Sequence, residues 1–161
     1  MRTWLLAIAI SSSPALAGKA TFEIGAIGNV MKVTGENGLV EGKLVIADGK
    51  ASGKFKVLLS SFTTGVSLRD QHMRGDLRVA ASPVATYRMF PAPFTGSEQF
   101  PFNGTLELNG IKRPLSGTAA FTGKTLNATL MIKLEDYALH QRRIFGIGVA
   151  DTATVKVEVT D

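Results

Sequence analysis

The chain has 161 residues, of which 45% are hydrophobic and 19% charged, with 17 glycines and no cysteine. That length suits one domain with a core of its own. The missing cysteine excludes disulfides, thiolate metal sites and cysteine nucleophiles. Eighteen Lys and Arg against thirteen Asp and Glu give a net charge of +5, a modest, scattered excess that argues for solubility and against nucleic acid as a partner.

The first segment reads as an export signal. Arg2 precedes an apolar run from Trp4 to Ile10, Ser11 to Pro14 break the run, and Ala15-Leu16-Ala17 forms an A-x-A cleavage site. The run is too short to span a bilayer. Cleavage after Ala17 leaves residues 18–161 as the mature domain, removes Trp4, the sole tryptophan, and lowers the charge to +4 through loss of Arg2. The expected destination is the periplasm.

Beyond it, period two prevails. Strands are predicted over 20–24, 29–34, 39–47, 51–60, 84–90, 100–108, 113–122, 125–134 and 150–159. Leu126, Ala128, Leu130, Ile132 and Leu134 share one face, and Asn127, Thr129, Met131 and Lys133 the other. Leu115, Gly117, Ala119 and Phe121 share a face. Turns are marked by Glu36-Asn37-Gly38, Asp48-Gly49, Asn109-Gly110 and Gly123-Lys124. Many short strands with tight turns describe an antiparallel sandwich or barrel.

Two segments depart from the pattern. Residues 67–75 suit a short helix, with Ser67 as N-cap, Asp70 three residues on, an Asp70–Arg74 pair and Gly75 closing it in a left-handed conformation. Phe90 to Phe100, with Pro91 and Pro93, suits a loop or strained edge.

Chemistry-bearing patterns are few. There is no G-x-S-x-G elbow and no phosphate-cradling glycine loop. Glu135 and Asp136, if on a strand, face opposite sides, and the two histidines lack metal-site spacing. The chain therefore reads as a non-enzyme, with no cofactor and no metal. Its densest polar cluster is Arg69, Asp70, His72 and Arg74. One reading is a latch, in which Asp70 caps and pairs, closing one end of the domain. The other is an anion site at a mouth, since arginine matches phosphate with a planar fork of donors. His140, Arg142 and Arg143 read as a solvated loop or as contacts to anionic lipid heads at a membrane surface. The residues leave the oligomeric state open, a dimer included.

Ser60-Ser61-Phe62-Thr63-Thr64-Gly65 followed by Arg69-Asp70-Gln71-His72-Met73-Arg74 resembles the signature of the YceI-like family, an S-x-x-T-G turn and then R-D-x-H-L-R. Pro83 to Tyr87, Phe102 to Leu115 and Phe145 to Asp151 continue the resemblance across the domain. The pattern departs at Leu77-Arg78-Val79-Ala80, where the family has F-F-D, and at Leu134-Glu135-Asp136-Tyr137-Ala138, where it has R-x-D-F-G. The resemblance implies a lipocalin-like, all-β antiparallel barrel of about eight strands, exported, that holds a long isoprenoid or quinone-like lipid in a tunnel with the polar head at the mouth. Under that implication Phe22, Phe55, Val57, Tyr87, Leu106, Leu108, Ala119, Phe121, Ala128 and Leu130 line the tunnel, and Arg69, His72 and Arg74 stand at the mouth. Gly117, Ala119 and Ala128 leave room for a guest. The alternative is a barrel filled by its own side chains that acts through its surface in an envelope stress response.

Overall fold

The computed structural model describes residues 15–26, 31–94, 96, 99–139, 143–144 and 147–160. Its strands are β1 (Ala15–Ala26), β2 (Met31–Ala47), β3 (Lys50–Leu58), β4 (Val84–Pro93), β5 (Phe100–Leu108), β6 (Ile111–Thr122), β7 (Thr125–Lys133), β8 (Arg143–Ile144) and β9 (Ile147–Thr160). A helix, α1 (Ser67–Asp76), and 3-10 turns at Leu59–Ser61 and Leu134–Tyr137 complete them. Each strand from β1 to β6 pairs antiparallel with the next, β7 pairs with β9, and β9 pairs back with β1. The sheet thereby closes into an eight-stranded, lipocalin-like barrel and removes its edges, with β8 a two-residue addition on β9.

The turn chemistry explains the meander. Asp48 and Gly49 take φ of 54° and 70°, and Asn109 and Gly110 take 53° and 72°. Both central residues lie in the left-handed region, the requirement of a type I′ hairpin whose twist matches the strands. Along β5, burial alternates strictly, with Phe100, Phe102, Leu106 and Leu108 inward.

Several local expectations give way. Residues 31–34 of the predicted strand 29–34, whose first two residues lie outside the described ones, and the predicted strand 39–47 belong to the single strand β2, and Glu36-Asn37 is a bulge rather than a turn. Ala20 pairs with Gly38 and Phe22 with Gly35, so two residues of β2 face one of β1. The bulge lets Glu36 bridge to Thr63, by Glu36 N–H to the Thr63 carbonyl at 2.8 Å and Thr63 N–H to the Glu36 carbonyl at 2.9 Å. Phe90 to Pro93 continue β4 past a second bulge, because Ala51 pairs with Ala92 but Gly53 with Met89. Pairing of β4 to β5 covers only Thr86 to Met89, so within the closed barrel Pro91 and Pro93 lie where the β5 side of β4 is locally unpaired, and a missing N–H there costs nothing. Glu135 and Asp136 sit on a 3-10 turn, not a strand. That turn ends at Ala138 with φ of 53°, a left-handed position where glycine, as in the family pattern, avoids the Cβ clash.

Helix α1 forms where expected but is capped differently. Its N-cap is Val66, without a side-chain cap, and Ser67 is the first helical residue. Gly75 stays helical, and the left-handed residue is Arg78, at φ of 51°. Asp70, 8% exposed, turns away from its own helix terminus to bond the approach segment. Thr63 Oγ1 donates to its Oδ2 at 2.8 Å, while the Thr64 backbone N–H and hydroxyl each donate to Oδ1 at 2.6 Å. These bonds favour the charged form. The Thr64 hydroxyl, then the Thr64 N–H and Thr63, and lastly the charge of Arg74, hold the carboxyl below the ordinary aspartate value.

Core aromatics lie against glycines of adjacent strands. The Phe22 ring occupies the space of a Cβ on Gly35, its cross-strand partner, and Phe62 does the same at Gly38. Phe55 lies on Gly42 and Phe102 on Gly117, each again a direct partner. A Cβ on Gly117 would stand 2.7 Å from Phe102 Cζ and 2.6 Å from the Thr129 carbonyl oxygen. Gly117 therefore makes room for a ring of the wall, not for a guest, contrary to the reading of it as a space-maker in the tunnel.

Two outcomes follow. Gly35→Ala should destabilise the fold by about 1–3 kcal/mol through overpacking, and by much less in a Phe22→Leu background; urea denaturation of the double-mutant cycle measures it, and equal penalties in both backgrounds would refute the ring contact. Asp70→Asn should lower the melting temperature at pH 7. Because the folded carboxyl is the stronger acid, its contribution is complete above the ordinary aspartate pKa near 3.9 and vanishes as pH falls through the lower folded value. The gap to wild type should then close in acid, and a gap constant from neutral to strongly acid pH would contradict a role for the charge.

Candidate functional site

A cavity of about 500 Å³ occupies the barrel interior, within the range of small-molecule sites. Its wall is the inward alternation of the strands. Phe22, Phe55, Val57, Tyr87, Leu106, Leu108, Ala119, Ala128 and Leu130 all line it. Ala119 and Ala128 are cross-strand partners on β6 and β7, so two short side chains meet there and leave width.

Phe121, expected in the lining, does not reach the cavity. Its ring meets Phe94 edge-on at 5.1 Å, and Phe94 meets Phe100 at 5.3 Å. The three rings plug the end of the barrel away from α1. Phe121 lies on the rung of Leu126, which does line the cavity, so it is the contact with Phe94 and not depth that takes its ring out of the lining.

At the opposite end stands the mouth. Helix α1 and its C-cap Leu77 present Leu68, Arg69, His72, Met73, Asp76 and Leu77 to the cavity; all but Leu68 form a stripe at i, i+3, i+4, i+7 and i+8 that is one helical face. Arg69 and His72 are themselves solvent-exposed, so the cavity reaches the surface there. Arg74 falls off that stripe and does not line the cavity. Met73, Asp76 and Leu77 join the site unforeseen, although helical spacing from Arg69 would have found them. Phe102, Val155 and Val157 join it too, through the same alternation that placed their neighbours.

Polarity is segregated along the cavity. Thr64, Arg69, His72 and Asp76 are at the α1 end, whereas the deeper wall is apolar apart from Tyr87. Tyr87 is satisfied within the wall: its hydroxyl donates to the Leu115 carbonyl at 2.7 Å, and its ring meets Phe102 edge-on at 5.7 Å. Burial pushes its phenol well above the ordinary value, with a smaller push from Tyr137, so it stays neutral. Such a space can hold a long apolar body with a polar end at α1.

Among the described residues, no three His, Asp or Glu side chains are grouped to hold a metal ion, and no helix is long and apolar enough to cross a membrane. His140 and Arg142 lie outside the described residues, and Arg143 opens β8.

Comparison with known proteins supplies the family. The YceI-like domain model matches residues 15–160. A UPF0312 protein of Azotobacter vinelandii is 35% identical over 77 residues, covering 45% of this chain and 40% of that relative, so the match spans less than half of its length. The crystal structure of Burkholderia cenocepacia BcnA superposes with a TM-score of 0.72 at 18% identity, over 89% of this chain and 96% of that one. A polyisoprenoid binding domain from Saccharophagus degradans, implicated in plant cell wall breakdown, gives 0.67 at 18% identity, over 92% and 97%. At that identity these likenesses concern the fold. The domain match runs from the first described strand to the last, and the chain belongs to the YceI-like family.

Proposed function

We propose that the protein is an exported carrier of a long apolar molecule of isoprenoid or quinone-like type, held in the barrel with its polar end at α1. One observation carries this reading: an apolar cavity of about 500 Å³ whose ionisable lining groups, Tyr87 apart, gather at one end. A related fold described as a polyisoprenoid binding domain lends support to the ligand class. A barrel filled by its own side chains, the competing idea, predicts no such space. The reading is of binding rather than catalysis: Tyr87 is committed to the wall, and the groups at the mouth suit orientation of a head group.

The energetics favour the tail. Burying several hundred Å² of apolar chain gains on the order of 10 kcal/mol gross, at ~25 cal/mol per Å². A charge-assisted head contact with Arg69 or His72 adds about 1.5–3 kcal/mol. Immobilisation reduces the sum. Affinity then follows chain length and burial, and the mouth sets orientation.

Export is part of the proposal. Ala15 to Ala17 form the first residues of β1, with Ala17 opposite Glu41 and Thr160. Cleavage after Ala17 would leave Gly18 first, still opposite Val40 and Val159, so the remaining register survives.

Native protein should release a lipid on organic extraction, and its native mass should exceed its denatured mass by that lipid; equal masses would count against a carrier. Ala128→Trp should reduce uptake by about tenfold or more, equivalent to ~1.4 kcal/mol of overpacking, with folding retained, and unchanged uptake would remove that wall from the site. Secreted protein should begin at Gly18 on N-terminal sequencing and fluoresce from Tyr87 and Tyr137 alone. Tryptophan emission from it would show that the segment containing Trp4 is retained.

A further inference from the structure

The outer face of β2, β3 and β4 bears a charge pattern that the interior does not require. Alternation sends Lys43, Lys54 and Arg88 outward, and the register sets them abreast, Lys43 opposite Lys54 and Lys54 opposite Arg88. All three are exposed, and none joins an ion pair among the described residues. Opposed residues have Cβ atoms about 4.5–5.5 Å apart, and like charges so placed destabilise a sheet. Lys56 adds a further cation on the same face, with Glu41 opposite it as the acid of the group. Folding alone gives no reason to line up three cations.

Toward the mouth, the terminal outward rung of the same three strands is Leu39–Leu58–Val84. These residues are 54%, 40% and 39% exposed. Leu58 leads directly into the turn before α1, where Val66 and Leu68, which also line the cavity mouth, are 46% and 61% exposed. An apolar rim at the cavity mouth is thus backed by a cationic rung four residues behind it, about 13 Å at ~3.3 Å per residue.

We propose that this rim and rung form a docking face for the surface of an anionic phospholipid bilayer. The apolar rim fits the headgroup–acyl boundary, which interfacial elements enter by about 5–10 Å. The cations behind it, on long flexible stems, reach lipid phosphates. A nucleic acid or a soluble acidic protein would match the cations but would leave the rim without a role. The orientation turns the cavity mouth toward the membrane. The rung Leu39–Leu58–Val84 and the cations behind it lie outside the barrel, away from the cavity lining, and do not depend on what the cavity holds.

Flotation with phosphatidylcholine vesicles, with and without phosphatidylglycerol, tests it. The protein should float with the anionic vesicles, release them as salt rises, and ignore the neutral ones. Each basic residue near an anionic surface is worth roughly fivefold in partitioning, so Lys43→Gln, Lys54→Gln and Arg88→Gln combined should weaken binding by about 100-fold. The same substitutions should leave the melting temperature unchanged or raise it, which separates lost docking from lost folding. Leu58→Asn should weaken binding, whereas Phe90→Asn, at the plugged end, should not. Ala128→Trp should leave vesicle binding intact, so failure of the cargo reading and failure of docking are distinguishable. Equal binding to neutral vesicles, no loss in the triple variant, or binding to heparin without binding to anionic vesicles would overturn the proposal.

Discussion

An eight-stranded barrel has an interior just wide enough to be filled by side chains, and this one points several aromatic residues inward. It is nevertheless hollow, because those rings lie across the wall instead of standing in the lumen. Phe22, Phe55 and Phe102 each take the place of the side chain that Gly35, Gly42 and Gly117 lack on the neighbouring strand. A glycine in a strand interior is ordinarily a weakness, and here the ring covers the backbone that it exposes. The apolar wall is thereby complete while the space in front of it stays open. A sealed apolar void costs about 24 cal/mol per Å³. At that rate a void of the observed 500 Å³ would cost on the order of 10 kcal/mol, comparable to the whole stability of a domain. The mouth at α1 admits water or a guest, and an apolar guest restores the burial that the wall forgoes.

The position of the mouth depends on a polar chain rather than on packing. The bulge at Glu36 brings that residue to Thr63 by two backbone bonds. Thr63 and Thr64 in turn hold the Asp70 carboxylate. Asp70 is on α1, so the chain fixes the helix, and the helix's inner face carries Arg69, His72 and Met73 to the cavity. The two readings of the Arg69–Arg74 cluster thus divide by helical phase. Asp70 is the latch, Arg69 and His72 face the opening, and Arg74 does neither, adding only a weak charge to Asp70.

Much of this was legible in the sequence because strand alternation is a local property. Leu126, Leu130 and Ile132 could be placed inward, and Met131 outward, from period two alone. The type I′ turns at Asp48-Gly49 and Asn109-Gly110 were equally local. What resisted reading depended on a neighbour distant in the chain. Gly117 looks like spare room until Phe102 is known to be its partner. Phe121 looks like lining until Phe94 is known to pack against its ring, since alternation gives the face but not the partner. Glu36-Asn37-Gly38 has the composition of a turn and is a bulge because Phe22 and Phe62 need the glycines on either side of it. Ser67 and Gly75 have cap composition, but Asp70 is drawn to Thr63 and Thr64, and helix entry follows that tie.

The same dependence on register makes the barrel two-sided. Side chains at successive positions of β2, β3 and β4 alternate between the cavity and the surface, so Val40, Phe55 and Tyr87 line the interior while Lys43, Lys54 and Arg88 stand abreast outside. A slip of one residue in β3 would put lysine in the lumen and the Phe55 ring in water. Burial of the inner set therefore fixes the outer one. The cations hold their row although it opposes the sheet, because the apolar wall behind them is far more costly to shift than a few exposed charges are to crowd. Inner apolarity decides the fold, and the outer face is free to carry whatever charge a surface contact selects.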